Sequence, residues 1–153
     1  MGDQYQPINW RRTFEYTLFV LSALNCIFVT IAFAYSEITL SGGQISSVFP
    51  FPGFYFIELI AIGIICFSTV ILLNNLTTSI RSGIAWICSG LLLAFVILGA
   101  WTIGFFLIPG MVMLLIVGIL IDKRSERNYA LHLIYLIAAG LSQGIFVFLT
   151  LLI

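Results

Sequence analysis

An all-α, polytopic transmembrane helix bundle with five spans is what this sequence predicts, and three observations predict it. Hydrophobic residues make up 61% of the 153 residues and charged residues only 8%, against about 25% charged in an ordinary soluble domain. The apolar residues gather in four blocks, at 13 to 35, 54 to 73, 84 to 121 and 129 to 153, each long enough for the roughly 20 residues that a helical crossing needs. The basic residues fall on one side of a membrane only if the third block is two crossings. Residues 1 to 153 therefore read as a single membrane domain, with no room for a separate soluble one.

The first span, 13 to 35, follows Arg11 and Arg12 and is longer than the roughly 7 to 15 residues of a signal-peptide core, so it reads as a crossing. An external loop, 36 to 53, follows. Within it "ITLSGGQISSV" alternates apolar and polar residues around Gly42 and Gly43, the pattern of a small hairpin, and "FPFPG" leads into the second span, 54 to 73. The third block would form a helix of about 57 Å, nearly twice a hydrocarbon core of about 30 Å. It must turn back, and Gly99, Gly104, Pro109 and Gly110 punctuate it. Spans at 84 to 100 and 103 to 121 result. The fourth is either short, with Pro109 in its first turn, or kinked at Pro109. The fifth occupies 129 to 153.

This division places Arg11 and Arg12, Arg81, and Lys123, Arg124 and Arg127 on one side. Cytoplasmic loops collect such residues, so the N-terminus is expected inside and the C-terminus outside. Aromatic residues fit the same levels: Trp10, Tyr16, Trp86 and Tyr129 at the inner interface, and Tyr35, Tyr55 and Trp101 at the outer. The cysteines, Cys26, Cys66 and Cys88, lie in apolar stretches and without a C-x-x-C spacing, as small buried hydrophobes do.

Ionisable residues inside a span are costly, and each needs an explanation. Glu15 follows Arg12 and Arg11 by three and four residues, where an ordinary same-face ion pair accounts for it. Glu58 has no such neighbour. It sits about 7 Å into the second span from the outer side, with every Arg and Lys expected at the opposite side. Its explanations are protonation, a hydrogen bond to a group such as Thr30 or Tyr55, an amine from a partner protein or lipid, or a bound ion. Helical spacing puts Tyr55, Ala61, Ile62, Ile65 and Thr69 on its face and Phe56, Ile60, Phe67 and Ile71 opposite, so the first set is expected to meet protein and the second lipid.

The fifth span carries a polar stripe, His132, Gln143 and Thr150, whose spacing projects all three within about 20° of one direction. Gly140 and Gly144 form a G-x-x-x-G beside it, the spacing that lets membrane helices approach closely. Asn25, in the middle of the first span, is expected to bond Gln143. His132 reads as a headgroup-level polar residue, since one histidine cannot supply two axial haem ligands.

These residues offer no clustered acids, histidine pair, nucleophile with a base, glycine-rich phosphate loop or metal set, so no enzyme activity and no cofactor or metal are expected. A formal net charge of zero and the lack of a basic run argue against nucleic acid. The leading expectation is a non-catalytic accessory, stabilising or assembly subunit, in contact with lipids and other membrane protein subunits. Glu58 and Tyr55 are its candidate partner, lipid or ion contacts. The alternatives are a protomer of a small ion or proton channel or transporter using Glu58, and a lipid-binding protein with an amine headgroup at Glu58. A prokaryotic cytoplasmic membrane is the expected location, from the one-sided distribution of basic residues.

Overall fold

The computed structural model describes residues 10 to 42, 53 to 72, 76 to 99, 103 to 125 and 129 to 152. They form five α-helices: α1 (Trp10–Leu40), α2 (Gly53–Ile71), α3 (Thr78–Leu98), α4 (Gly104–Ser125) and α5 (Tyr129–Leu152). All five are long and apolar enough to cross a membrane.

Local chemistry sets their ends. From Trp10 to Leu40 there is neither glycine nor proline, so α1 continues past the expected boundary at residue 35 and takes in Ser36, Glu37 and Thr39. It stops where Gly42 adopts a positive φ of 70°, a conformation glycine reaches without strain. The first half of the expected hairpin is therefore helix, and its second half lies outside the described residues. Polar side chains at the end of an apolar run do not break a helix; only the glycine does.

α3 begins earlier than the predicted residue 84. Thr77 caps it, its hydroxyl accepting from the Ile80 amide at 3.4 Å, which brings Arg81 into the helix rather than a loop. The long third block is two helices. Gly99 closes α3 and Gly104 opens α4, with the Gly104 amide donating to the Gly99 carbonyl at 2.7 Å. A Cβ at Gly104 would lie 2.6 Å from that carbonyl oxygen, so the turn requires glycine there. Pro109 stands inside α4, beyond its first turn.

α3 packs along both α4 and α5, α1 packs along α2 and α4, and α2 touches α3 more lightly. Helices α1 to α4 thus close a ring, and α5 lies outside it against α3. Burial follows that order: 56% of the most apolar stretch of α3 is buried, against 22% for α5. The core joins Phe19, Cys26, Leu59, Leu92, Phe95 and Leu114, drawn from all four ring helices. Cys26, Cys66 and Cys88 are buried and unbridged, and all three belong to this core.

On α2 the buried stripe is Phe56, Leu59, Ile62, Gly63, Cys66 and Thr69. Ile62 and Thr69 are enclosed and Ile60, Phe67 and Ile71 exposed, in line with the predicted faces. Phe56 is buried, and Ala61 and Ile65 are exposed, which reverses the expectation for each of the three. The reason is that the inner stripe centres on the α1 contact, where Gly63 fits beside Ala23 and Ile27, and not on the Glu58 face.

The α3–α5 contact depends on glycine. A Cβ added to Gly90 would fall 2.2 Å from the Leu136 carbonyl oxygen, and one on Gly140 3.1 Å from the Gly90 carbonyl. Nothing lies within 4 Å of such an atom on Gly144. Gly90→Ala is expected to destabilise the protein by about 1–3 kcal/mol through overpacking, and Gly144→Ala by less than about 0.5 kcal/mol. Thermal unfolding in one detergent measures both; equal losses would contradict this account of the helix crossing.

Candidate functional site

Two polar centres stand within the apolar bundle. The larger gathers at the end where α1, α3 and α5 begin and α4 finishes. Asp122, in the last turns of α4, is completely buried. Its Oδ1 accepts from the Ser82 hydroxyl, its Oδ2 accepts from the Trp86 indole Nε1 at 2.9 Å, and His132 Nδ1 lies 2.8 Å from the same Oδ2. With the carboxylate ionised and the imidazole proton on Nδ1, Asp122 accepts three hydrogen bonds. Ser82 and Trp86 are four residues apart on α3, hence on one face. Gly118, one turn before Asp122, makes space for the indole: a Cβ there would be 2.8 Å from Nε1.

Beside this cluster Arg124 Nη1 donates to Glu15 Oε1 at 2.8 Å, tying α4 to α1. Glu15 is only 3% exposed, and its second oxygen, Oε2, is buried without a hydrogen-bond partner among the described residues. The pair that Glu15 makes among the described residues is this bond across the bundle and not the expected one to Arg12, which is exposed; the Arg11 side chain lies outside the described residues. Arg81, also buried, donates through Nη2 to Thr78 Oγ1 at 3.3 Å.

The second centre lies nearer the other end. Gln143 of α5 donates from Nε2 to Glu58 Oε2 of α2, bridging two helices that do not pack along each other. The acid's partner thus comes from within the chain, and it is an uncharged amide. Thr30 is otherwise engaged, its hydroxyl donating to the Cys26 carbonyl of its own helix at 2.8 Å. Tyr55 packs edge-on against Phe95 of α3, with ring centroids 5.2 Å apart.

Asn25 and Gln143 do not bond each other, because α5 packs on α3 and not on α1. Asn25 Nδ2 donates instead to the Phe106 carbonyl of α4 at 3.3 Å, and Ser22 Oγ to the Gly110 carbonyl at 3.0 Å. These carbonyls flank Pro109. A Cβ on Gly110 would come within 2.7 Å of Asn25 Oδ1, so the α1–α4 approach is set by that glycine.

His132 is 2% exposed and bonded to Asp122, so the headgroup-level reading of it is corrected. Trp86 is likewise turned inward, from the expected interface to the buried carboxylate. His132, Leu136, Ala139, Gln143 and Val147 form the buried stripe of α5, with Gly140 at its edge against Gly90. Thr150 belongs to α5, but its side chain lies outside the described residues, as does Trp101.

Sequence reasoning passed over Asp122. It ends an apolar run and precedes Lys123 and Arg124, which reads as the first residue of a loop. The available signal was the i, i+4 pair Ser82 and Trp86, two donors on one helix face at a matching depth.

In chemical terms the cluster can hold a proton or a charge away from water. It is not laid out for acyl transfer, because the Ser82 hydroxyl is given to the carboxylate and not to the imidazole. Among the described residues no group of three or more His, Cys, Asp or Glu side chains is placed to hold a metal ion. Comparison of the chain with protein-family models, with curated proteins and with solved structures gave no match.

Asp122→Ala strands a hydroxyl, an indole N–H and an imidazole in the interior and is expected to cost about 3 kcal/mol or more, at about 1 kcal/mol or more for each orphaned group. Trp86→Phe leaves the carboxylate two donors and is expected to cost about half that. Thermal unfolding of the two variants checks this order, and indistinguishable midpoints would show that the cluster is not held as described.

Proposed function

We propose that this integral membrane protein is non-catalytic and works by packing against other membrane components, as an accessory, stabilising or assembly subunit. The observation that carries this reading is how its intramembrane polar groups are used. Asp122, Glu15, Ser22, Asn25 and Gln143 each bond one helix to another, which is the work of a scaffold. The one-sided placement of basic residues supports an N-terminus inside and a C-terminus outside, in a prokaryotic cytoplasmic membrane.

A second reading draws on Glu58. This acid is partly exposed and, among the described residues, is hydrogen-bonded to an amide, while Glu15 is paired with Arg124 and Asp122 accepts from three donors. A carboxyl group in that setting can take up a proton or meet a cation, as a channel or transporter protomer would require, or meet the amine of a lipid headgroup.

Two measurements separate these readings. Purified in gentle detergent from its native membrane, the chain is expected to bring a companion membrane protein in fixed stoichiometry, and a monodisperse preparation without one would remove the subunit reading. In proteoliposomes, proton and cation flux are expected to equal those of empty vesicles. Flux above that level, lost in Glu58→Gln and kept in Gln143→Ala, would establish the transport reading instead.

A further inference from the structure

The basic end of the bundle carries a groove that neither reading uses. It lies between the start of α1 and the end of α4, has a volume of about 620 Å³, and is lined by Trp10, Phe14, Glu15, Leu120, Lys123 and Arg124. Both helix ends are at the depth where a span leaves the hydrocarbon, so the groove opens where headgroups and the first acyl carbons meet.

Its lining is divided by chemistry. Trp10 and Phe14, one turn apart on α1, and Leu120 of α4 make an apolar wall. Lys123 is exposed, with three ammonium N–H donors. Arg124 gives one guanidinium nitrogen to Glu15, and its side chain is still 31% exposed, so N–H donors remain to face a ligand. Glu15 contributes the remaining feature: it lines the groove, and its Oε2 is buried without a hydrogen-bond partner among the described residues. A buried acceptor left open in this way calls for a donor.

The charges also count. Among the lining residues Lys123 and Arg124 give two positive charges against one negative on Glu15, and Arg81 and Arg12 also act on Glu15, so the groove is net positive. The occupant must therefore have an apolar chain, a net negative charge and a neutral hydrogen-bond donor near it. We propose that this groove binds one anionic glycerophospholipid with a hydroxyl-bearing headgroup, of the phosphatidylglycerol class. Its phosphate meets Lys123 and Arg124, a headgroup hydroxyl donates to Glu15 Oε2, and an acyl chain lies along Trp10, Phe14 and Leu120. A zwitterionic choline lipid lacks both the net charge and the donor. The inference does not involve Glu58 and holds whether or not the chain is a subunit of a complex.

Native mass spectrometry of the full chain, titrated separately with four lipids in one detergent, tests it. Phosphatidylglycerol is expected to be retained about fivefold more than phosphatidylcholine, and Lys123→Gln, at an exposed position, to remove about that factor. Phosphatidylmethanol, which has the same charge but no hydroxyl, is expected to fall below phosphatidylglycerol. Unfolding midpoints of the wild type and Lys123→Gln are expected to coincide, which separates lost binding from lost structure. Equal retention of the glycerol and choline lipids, or an unchanged preference in Lys123→Gln, would overturn the site. Strongest retention of phosphatidylethanolamine would place an ammonium on Glu15 and overturn the headgroup assignment, and displacement of bound lipid by millimolar glycerol phosphate would overturn the lipid as occupant.

Discussion

A carboxylate buried without contact with solvent governs how this bundle is assembled. Asp122 cannot be hydrated where it sits, and an unpaired charge in such surroundings is far more costly than the bundle's stability could absorb. The donors it needs come from α3 and α5, so the requirement for satisfaction becomes a requirement on helix placement. Individual polar bonds between membrane helices are modest, averaging about 0.6 kcal/mol. Their effect here is chiefly to exclude other arrangements, because a register shift of one turn would carry Asp122 about 5.4 Å from its donors.

Close approach makes that bonding possible, and glycine makes close approach possible. The indole of Trp86 reaches Asp122 because Gly118 leaves space beside it, and α5 comes near enough to present His132 because Gly90 and Gly140 allow backbone to meet backbone. The α1–α4 seam repeats the combination, with Gly110 admitting Asn25 while Ser22 and Asn25 bond carbonyls on either side of Pro109. In a bilayer, where lipid tails are as apolar as leucine, packing and polar bonding of this kind replace the hydrophobic effect as the force between helices.

The two ends of the bundle differ in consequence. At the end holding Asp122, charged and donor groups are joined across helices, and the Glu15–Arg124 pair extends the network to α1. Among the described residues, α2 alone has no bond to it. Toward the opposite end α2 is linked to α5 by Glu58 and Gln143, with Tyr55 resting on Phe95. Gln143 thereby spans between helices whose backbones are apart, as a long flexible amide can.

What the sequence determined by itself was the membrane class, the number of helices and the splitting of the long third block, since these follow from local quantities: apolar run length, the reach of a helix and glycine punctuation. The break between the third and fourth helices was legible at Gly99 and Gly104, and helix ends were misread at Ser36 to Leu40, where polarity was taken for a turn, and at Thr78 to Gly83 and Asp122 to Ser125, which are also helical. The partners were not legible. Glu58 was singled out correctly as an acid in an apolar run, but Gln143 could be assigned to it only once α5 was seen to pack on α3 and not on α1. Glu15 looked paired with its neighbours and is bonded to Arg124, and Asp122 looked like a loop residue and is the most heavily bonded acid among the described residues. Helical periodicity fixes the direction in which a side chain leaves its own helix, but which other helix stands in that direction depends on how the helices are ordered around the bundle, and only the tertiary structure decides that.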